Sequence, residues 1–171
     1  GNITVTKKQT QHSFFYNGLH LYTIPDQMRA EETVHFALLE HPNPESVLLV
    51  GGGVGGLIKE ALKEPVKQLD YVELDPMIIE MAGKYLPEKE YRPLRDSRVA
   101  IKNLDGRFFI KGTNNKYDCV ILNLGDPYTA QLNRYYTVEF FQEVKEILKE
   151  GGILSFALTS SESYISRELK S

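Results

Sequence analysis

From Ser46 onward the chain alternates two hydrophobic patterns: short unbroken apolar runs, and longer segments whose apolar residues recur every three or four positions. The runs "SVLLV", "QLDYVEL", "RVAIKN", "YDCVILN" and "ILSFALT" have the length and β-branched content of strands. The segments "GGLIKEALKE", "PMIIEMAGKYL", "GRFFIKG" and "TVEFFQEVKEILKE" have helical spacing. Pro76 suits a first helical turn, Thr137 suits an N-cap, and Gly151-Gly152 is expected to stop the last helix. Strands apolar on both faces belong to a parallel sheet covered by helices. The expectation is an α/β, doubly wound sheet in the order 3-2-1-4-5, with a ligand at the carboxyl ends of its strands.

The first residues follow another rhythm. "NITVTKK", "HSFFY" and "LHLYT" read as strands, and Asn17-Gly18 between the last two is a hairpin signal. Residues 1–25 are therefore expected to form a small β unit, and 26–171 a Rossmann-like domain. "DQMRAEETVHFALLEH" predicts a helix capped by Asp26 that buries Met28, Val34, Leu38 and Leu39, and "HPNPES" is a turn. Gly1 and the polar ending "SRELKS" look like cut ends. The second domain is thus expected to be C-terminally truncated, without the antiparallel strand pair that usually completes such a sheet.

Composition narrows the function classes. With 171 residues, 42% of them hydrophobic, the chain can bury one core. A net charge of -3 and no long basic run disfavour nucleic acid as a partner. Arg92, Arg95 and Arg98, interrupted by Asp96, read as a solvated loop. The single cysteine, Cys119, excludes an internal disulfide and is expected to be a buried thiol. No apolar stretch reaches membrane-spanning length and no leader pattern is visible, so a cytoplasmic location is expected.

The chemistry centres on "VLLVGGGVGGLIKEAL". Gly51, Gly53 and Gly56 satisfy G-x-G-x-x-G, with a strand before, a helix after, and an acid, Glu73 of "YVELDP", at the end of the next strand. A carboxylate there can accept hydrogen bonds from both ribose hydroxyls. The bland alternative is a tight turn beside a solvated glutamate. Two ligand classes fit, a nicotinamide dinucleotide and an S-adenosyl compound. Asp105 in "NLDGRFF" can accept from an adenine amino group, and Gly106 leaves the base room. "LNLGDP" places Asn123 and Asp126 at the end of the fourth strand, where a reacting group would sit. This layout is that of a Rossmann-like S-adenosylmethionine-dependent methyltransferase fold, and the chain is short for a dehydrogenase with a second domain. No His/Cys/acid spacing suggests a metal site.

These motifs carry a resemblance. From "NITVTK" to about Phe156 the sequence resembles the polyamine aminopropyltransferases, the spermidine and spermine synthases. "HPNPESVLLVGGGVGG", "YVELDP", "LDGRFF", "YDCVILNLGDP" and "YYTVEFFQEVKEIL" stand in the family's order. The phrase "DPYTAQLNRYYTVEFF" is most like the spermidine-synthase-like domains fused to membrane segments in some bacteria, so the chain as the soluble domain of a membrane protein is the alternative location. The resemblance implies transfer of an aminopropyl group from decarboxylated S-adenosylmethionine to a diamine, whose nitrogen must lose a proton.

The same resemblance exposes departures. Family members typically carry an Asp where this sequence has Asn123, and an amide is not a base. Their glycine loop usually reads GGGDGG, its Asp holding the donor's ammonium, and Val54 stands there. A Tyr-Gln pair that helps to hold the amine aligns with Arg29 and Ala30. The nucleoside half matches at Gly51, Gly53, Glu73, Asp75, Asp105 and Gly106, and Asp126, the motif's second acid, is also present. With Val54 in the cofactor-binding loop, S-adenosylmethionine fits as well as its decarboxylated form, either one as substrate. Asp126 and Glu31 are the candidate bases left, and Asp126 before Pro127 equally suits a turn. His35, one helical turn from Glu31 and Glu32, either lines the site mouth or packs between elements. Tyr128, Tyr135 and Tyr136 are candidate walls of an acceptor pocket, with Tyr136 expected to pack under the following helix. Three readings follow: an aminopropyltransferase-family enzyme with an altered amine site, an S-adenosylmethionine-dependent methyltransferase, or a non-catalytic nucleoside-binding or interaction domain. The expected partners are a small-molecule substrate, a polyamine in the first reading, and a second copy of the chain along the open sheet edge.

Overall fold

The computed structural model describes residues 1–127 and 129–158. Tyr128 and the ending "SRELKS", where a wall residue and a truncated terminus are expected, lie outside the described residues. The chain opens with a three-stranded antiparallel sheet, β1 (Ile3–Lys8), β2 (Gln11–Tyr16) and β3 (Leu19–Ile24). Asn17 and Gly18 have φ of 50° and 80°, the left-handed pair that a two-residue hairpin turn requires. Helix α1 (Gln27–Leu38) starts on Asp26, whose side chain accepts from the Arg29 N–H at 3.2 Å.

Helix α1 buries Ala30, Val34, Ala37 and Leu38, an i, i+4, i+7, i+8 stripe. Met28 and Leu39, expected in the core, are instead 71% and 70% exposed. Ala30 and Ala37 complete the stripe beside Val34 and Leu38, and Met28 and Leu39 lie off it.

The main sheet joins β4 (Ser46–Val50), β5 (Gln68–Val72), β6 (Val99–Lys102), β7 (Tyr117–Leu122) and β8 (Leu148–Phe156). Their order is β6-β5-β4-β7-β8, all pairs parallel, which is the expected 3-2-1-4-5. Along β4, alternate side chains enter opposite cores. Val47 and Leu49 join Phe14 and Ile24 of the N-terminal sheet, Val34 and Leu38 of α1, and Ile78 and Ala82 of α3 (Pro76–Tyr85). Leu48 and Val50 join Ile110 of α5 (Gly106–Gly112) and Phe140, Val144 and Ile147 of α7 (Val138–Ile147). The short helices α2 (Leu57–Ala61), α4 (Glu88–Tyr91) and α6 (Ala130–Asn133) complete the set. None of the described helices is long and apolar enough to cross a membrane.

Two boundaries differ from expectation. The glycine-rich loop does not lead straight into a long helix: a 3₁₀ turn, Gly53–Gly55, precedes α2, because Gly52 and Gly56 on either side have φ of 70° and 101°. The last helix ends at Ile147 rather than at the glycine pair, since Leu148 is already extended and pairs with Tyr117. The register then shifts so that Cys119 faces Ile153, and Gly151, at φ 72°, turns the chain within that bulge. Arg92–Arg95 forms a 3₁₀ turn where a loop is expected, and Arg98 forks onto Asp96 at 2.9 and 3.0 Å. Cys119 is buried as expected, with Sγ 3.8 Å from the Ala37 carbonyl, and burial pushes its thiol up to about 12.

Candidate functional site

The registers Val50↔Val72, Val72↔Lys102 and Val50↔Leu122 bring four strand ends level. Gly51, Glu73, Asn103 and Asn123 each stand one residue beyond such an end, so the sheet itself gathers them. The Gly51 N–H donates to the Val72 carbonyl at 2.9 Å, and the Asn123 N–H to the Val50 carbonyl at 2.9 Å. The loop that follows is closely packed. A Cβ on Gly52, at φ 70°, would lie 1.8 Å from Asn123 Nδ2, and one on Gly53 would lie 2.7 Å from the Tyr71 ring.

Tyr71, on β5, is fully buried under this loop. Its hydroxyl faces the Val54 N–H and donates to Glu73 Oε2 at 2.8 Å. Glu73 Oε1 accepts from the Asp75 N–H at 3.2 Å, and the side chain is buried. Burial pushes its carboxyl above the usual range, against the Tyr71, Asp75 and Leu74 donors that pull it down. This is no solvated glutamate. An ionised carboxylate has about four acceptor positions, so both oxygens keep capacity for further donors. Asp75 caps α3 through the Met77 N–H at 3.0 Å.

At the next strand end, Asp105 caps α5 by accepting from the Phe108 N–H at 3.0 Å. Its other oxygen meets the Arg134 guanidinium and, at 3.3 Å, the Tyr135 hydroxyl. Burial raises its carboxyl, but the Phe108 N–H and Arg134 outweigh it and hold the group below the usual range. A side chain at Gly106 would have to displace Val50, since a Cβ there would lie 2.5 Å from Val50 Cγ1. Arg107 forks onto Glu143 at 2.7 and 2.6 Å and donates to the Arg134 carbonyl at 2.8 Å. The segment around α6 is thereby tied to Asp105 and to α7. Sequence reading missed Tyr71, Arg107 and Arg134. Only the complementary charges in "DGR", "LNR" and "FQE" signal the pairs, and they lie far apart along the chain.

The remaining candidates divide. Asn123 is half-buried against Gly52, and Val54 is 1% exposed, packed with the core that includes Ile58 and Tyr71. Asp126 is half-buried, and its charge acts on Tyr136, whose hydroxyl donates to the Gly125 carbonyl at 3.1 Å. Tyr135 is buried at Asp105, edge-on to Phe140 at the start of α7, which Thr137 caps through the Phe140 N–H. Ala30 packs on the glycine loop, 3.4 Å from a Cβ placed on Gly56, whereas Arg29 is exposed. Glu31 accepts from Gln27 at 2.6 Å. His35 packs between α1 and α2, with its nitrogens 3.3 Å from Glu60 and 3.1 Å from Glu64.

A family model for the spermine/spermidine synthase domain matches residues 27–167. A polyamine aminopropyltransferase of Korarchaeum cryptofilum is 41% identical over 143 residues, which is 83% of this chain and 44% of that protein. Its namesake in Oceanobacillus iheyensis is 37% identical over 162 residues, 92% of this chain and 32% of that protein. Among solved structures, a spermidine synthase in complex with the transition state analogue AdoDATO superposes with a TM-score of 0.75 at 30% identity, over 89% of this chain and 56% of that one. Spermidine synthase from Thermotoga maritima gives a TM-score of 0.70 at 27% identity, over 89% and 55%. The chain spans less than half the length of these two curated relatives.

Proposed function

The chain belongs to the spermine/spermidine synthase family, and we propose that it binds an S-adenosyl compound at the carboxyl ends of β4 to β7, in a site whose amine half is altered. Glu73 takes the ribose hydroxyls and Asp105 the adenine amino group. The observation that carries this reading is Glu73: a dry carboxylate with spare acceptor capacity, propped by Tyr71 beside a loop in which Gly52 and Gly53 leave no room for a side chain. The AdoDATO-bound spermidine synthase that shares the fold supports the ligand class.

In aminopropyl transfer, the amine nitrogen attacks the methylene carbon next to the sulfonium. The carbon–sulfur bond breaks, methylthioadenosine leaves with the electron pair, and the nitrogen's proton passes to a base. Asn123 supplies no base, and Val54 supplies no anion for the donor's ammonium. Loss of a general base alone costs ~10²- to 10⁴-fold in rate. The domain therefore binds S-adenosyl compounds while making little or no spermidine. The same two residues favour, as a second reading, use of intact S-adenosylmethionine toward a neutral acceptor.

The test pairs calorimetry with a product assay. S-adenosylmethionine, its decarboxylated form and methylthioadenosine are titrated in turn, then the decarboxylated donor is incubated with putrescine. Binding without spermidine is expected. Absence of binding by all three overturns the site. Turnover near the enzyme median of ~10 s⁻¹ overturns the altered amine half.

A further inference from the structure

The glycine loop is covered from outside by the N-terminal sheet, and one residue of that sheet is unexplained by packing. Tyr22, on β3, pairs across the strands with Phe14, their rings 5.2 Å apart. The root of its ring rests on the loop, since a Cβ on Gly55 would lie 3.5 Å from Tyr22 Cγ. Its hydroxyl is buried, and no group among the described residues hydrogen-bonds it. Burial first, and the Glu73 charge second, keep the phenol protonated, so it stands as a donor.

We propose that Tyr22 is a further ligand-binding residue of the S-adenosyl site, its O–H donating to a ribose oxygen of the nucleoside held at Glu73. The inference rests on the reading of the site given above. Three polar side chains crowd this spot, Tyr22, Tyr71 and Glu73, with both phenols in reach of the Glu73 charge. The Tyr71 hydroxyl is committed to Glu73, and each Glu73 oxygen already holds one protein donor, its remaining acceptor positions being those assigned to the ribose hydroxyls. Tyr22 alone of the three is left over. Buried polar groups without a partner are few in folded proteins and weaken the fold. A position that needed only an aromatic wedge would be better served by phenylalanine, as at Phe14 opposite. A ribose brought to Glu73 supplies oxygen acceptors next to the Tyr22 hydroxyl, and the hairpin then becomes part of the binding site rather than a cover for it.

A structural rival exists on the same sheet face. Nδ1 of buried His12, whose cross-strand partner is Ile24, also lacks a partner among the described residues. If small shifts pair His12 with Tyr22, the hydroxyl serves the fold instead. The conservative variant Tyr22→Phe separates the two. Thermal unfolding of the ligand-free protein and calorimetric titration with methylthioadenosine are measured for parent and variant, then repeated with the 2′-deoxy and 3′-deoxy analogues.

The proposal expects an unchanged or higher melting temperature without ligand. It expects about 5- to 10-fold weaker methylthioadenosine binding, the size of one neutral hydrogen bond. It also expects the difference between parent and variant to vanish for one of the two deoxy analogues, the signature of a pairwise contact. Equal affinity for methylthioadenosine, or a lower melting temperature with no analogue dependence, overturns it. A parent that binds no nucleoside overturns the site reading and this inference together. A parent that binds, matched by its variant, overturns this inference alone.

Discussion

Glu73→Gln is the most informative single substitution, because the structure predicts opposite effects on stability and on binding. Burial raises the Glu73 carboxyl in the folded state, so the folded chain holds this proton more tightly than the unfolded one. By linkage, the stability the group contributes is fully present below its ordinary value of 4.5 and is lost as pH rises through the raised folded value. At neutral pH the ionised side chain therefore weakens the fold. Glutamine removes that charge, keeps the Asp75 N–H on its oxygen and turns its NH₂ to the Tyr71 oxygen, which can accept instead of donating. Exchanging charge-assisted hydrogen bonds for neutral ones costs about 1 kcal/mol. Because glutamine does not titrate and the carboxyl does, the stability gap should move in the variant's favour as pH rises from about 4 toward 8.

Binding moves the other way. Charge-assisted hydrogen bonds are worth about 1.5–3 kcal/mol, so the variant should bind methylthioadenosine ~10- to 100-fold less tightly. Ribose donors favour the ionised carboxylate. The parent should therefore release protons on binding in the acid window, and gain affinity as pH climbs through the raised Glu73 value. Urea unfolding and calorimetry in buffers of different ionisation enthalpy, from pH 4 to 8, read all three effects. A glutamine variant with the parent's affinity and the parent's pH profile would show that ribose does not meet Glu73.

Three further outcomes are expected. Arg134→Ala should let the Asp105 carboxyl rise toward its ordinary value, read by NMR titration of the side chain; an unmoved titration would deny the ion pair its part in holding Asp105 down. Gly52→Ala should destabilise the protein by about 1–2 kcal/mol for the left-handed backbone alone, with an added loss from displacing the Asn123 amide, and denaturation at the parent's urea midpoint would count against the packed loop. Val54→Asp combined with Asn123→Asp should raise spermidine formation from decarboxylated S-adenosylmethionine and putrescine. The same pair should lower the melting temperature, because position 54 is 1% exposed and a buried carboxylate is unfavourable. No gain in product would mean that these two positions do not limit transfer.

Much of the architecture is legible in local pattern. Each strand of the parallel sheet contains one of the apolar runs, the hairpin follows from Asn17-Gly18, and Asp26, Pro76 and Thr137 mark helix starts as their chemistry requires. What escapes is non-local. Leu148 continues a helical spacing in "KEILKE", yet pairing with Tyr117 wins it for the sheet. Ala30 and Ala37 complete the inward face of α1 beside Val34 and Leu38 but carry little hydrophobic signal, so the pattern points to Met28 and Leu39 in their place.

At the site, the position of each acid at a strand end can be read from "YVELDP" and "LDGRFF". That Asp75 and Asp105 also cap α3 and α5 could have been read from the same motifs, since Asp before a helix start is the usual cap. The prop under Glu73 could not. Tyr71 looks like any buried strand residue until the loop folds back over it. Nor could the hold of Arg134 on Asp105, which depends on α6 returning across the sheet end.

In the proposed function a nucleoside lies across the ends of β4, β5 and β6. A crystal structure of the protein grown with methylthioadenosine tests it directly. Ribose hydroxyls are expected within hydrogen-bond distance of Glu73 and the adenine amino group at Asp105, with the ligand's sulfur turned toward Asn123. A nucleoside bound anywhere else, or one that leaves Glu73 and Asp105 without a ligand contact, would contradict it.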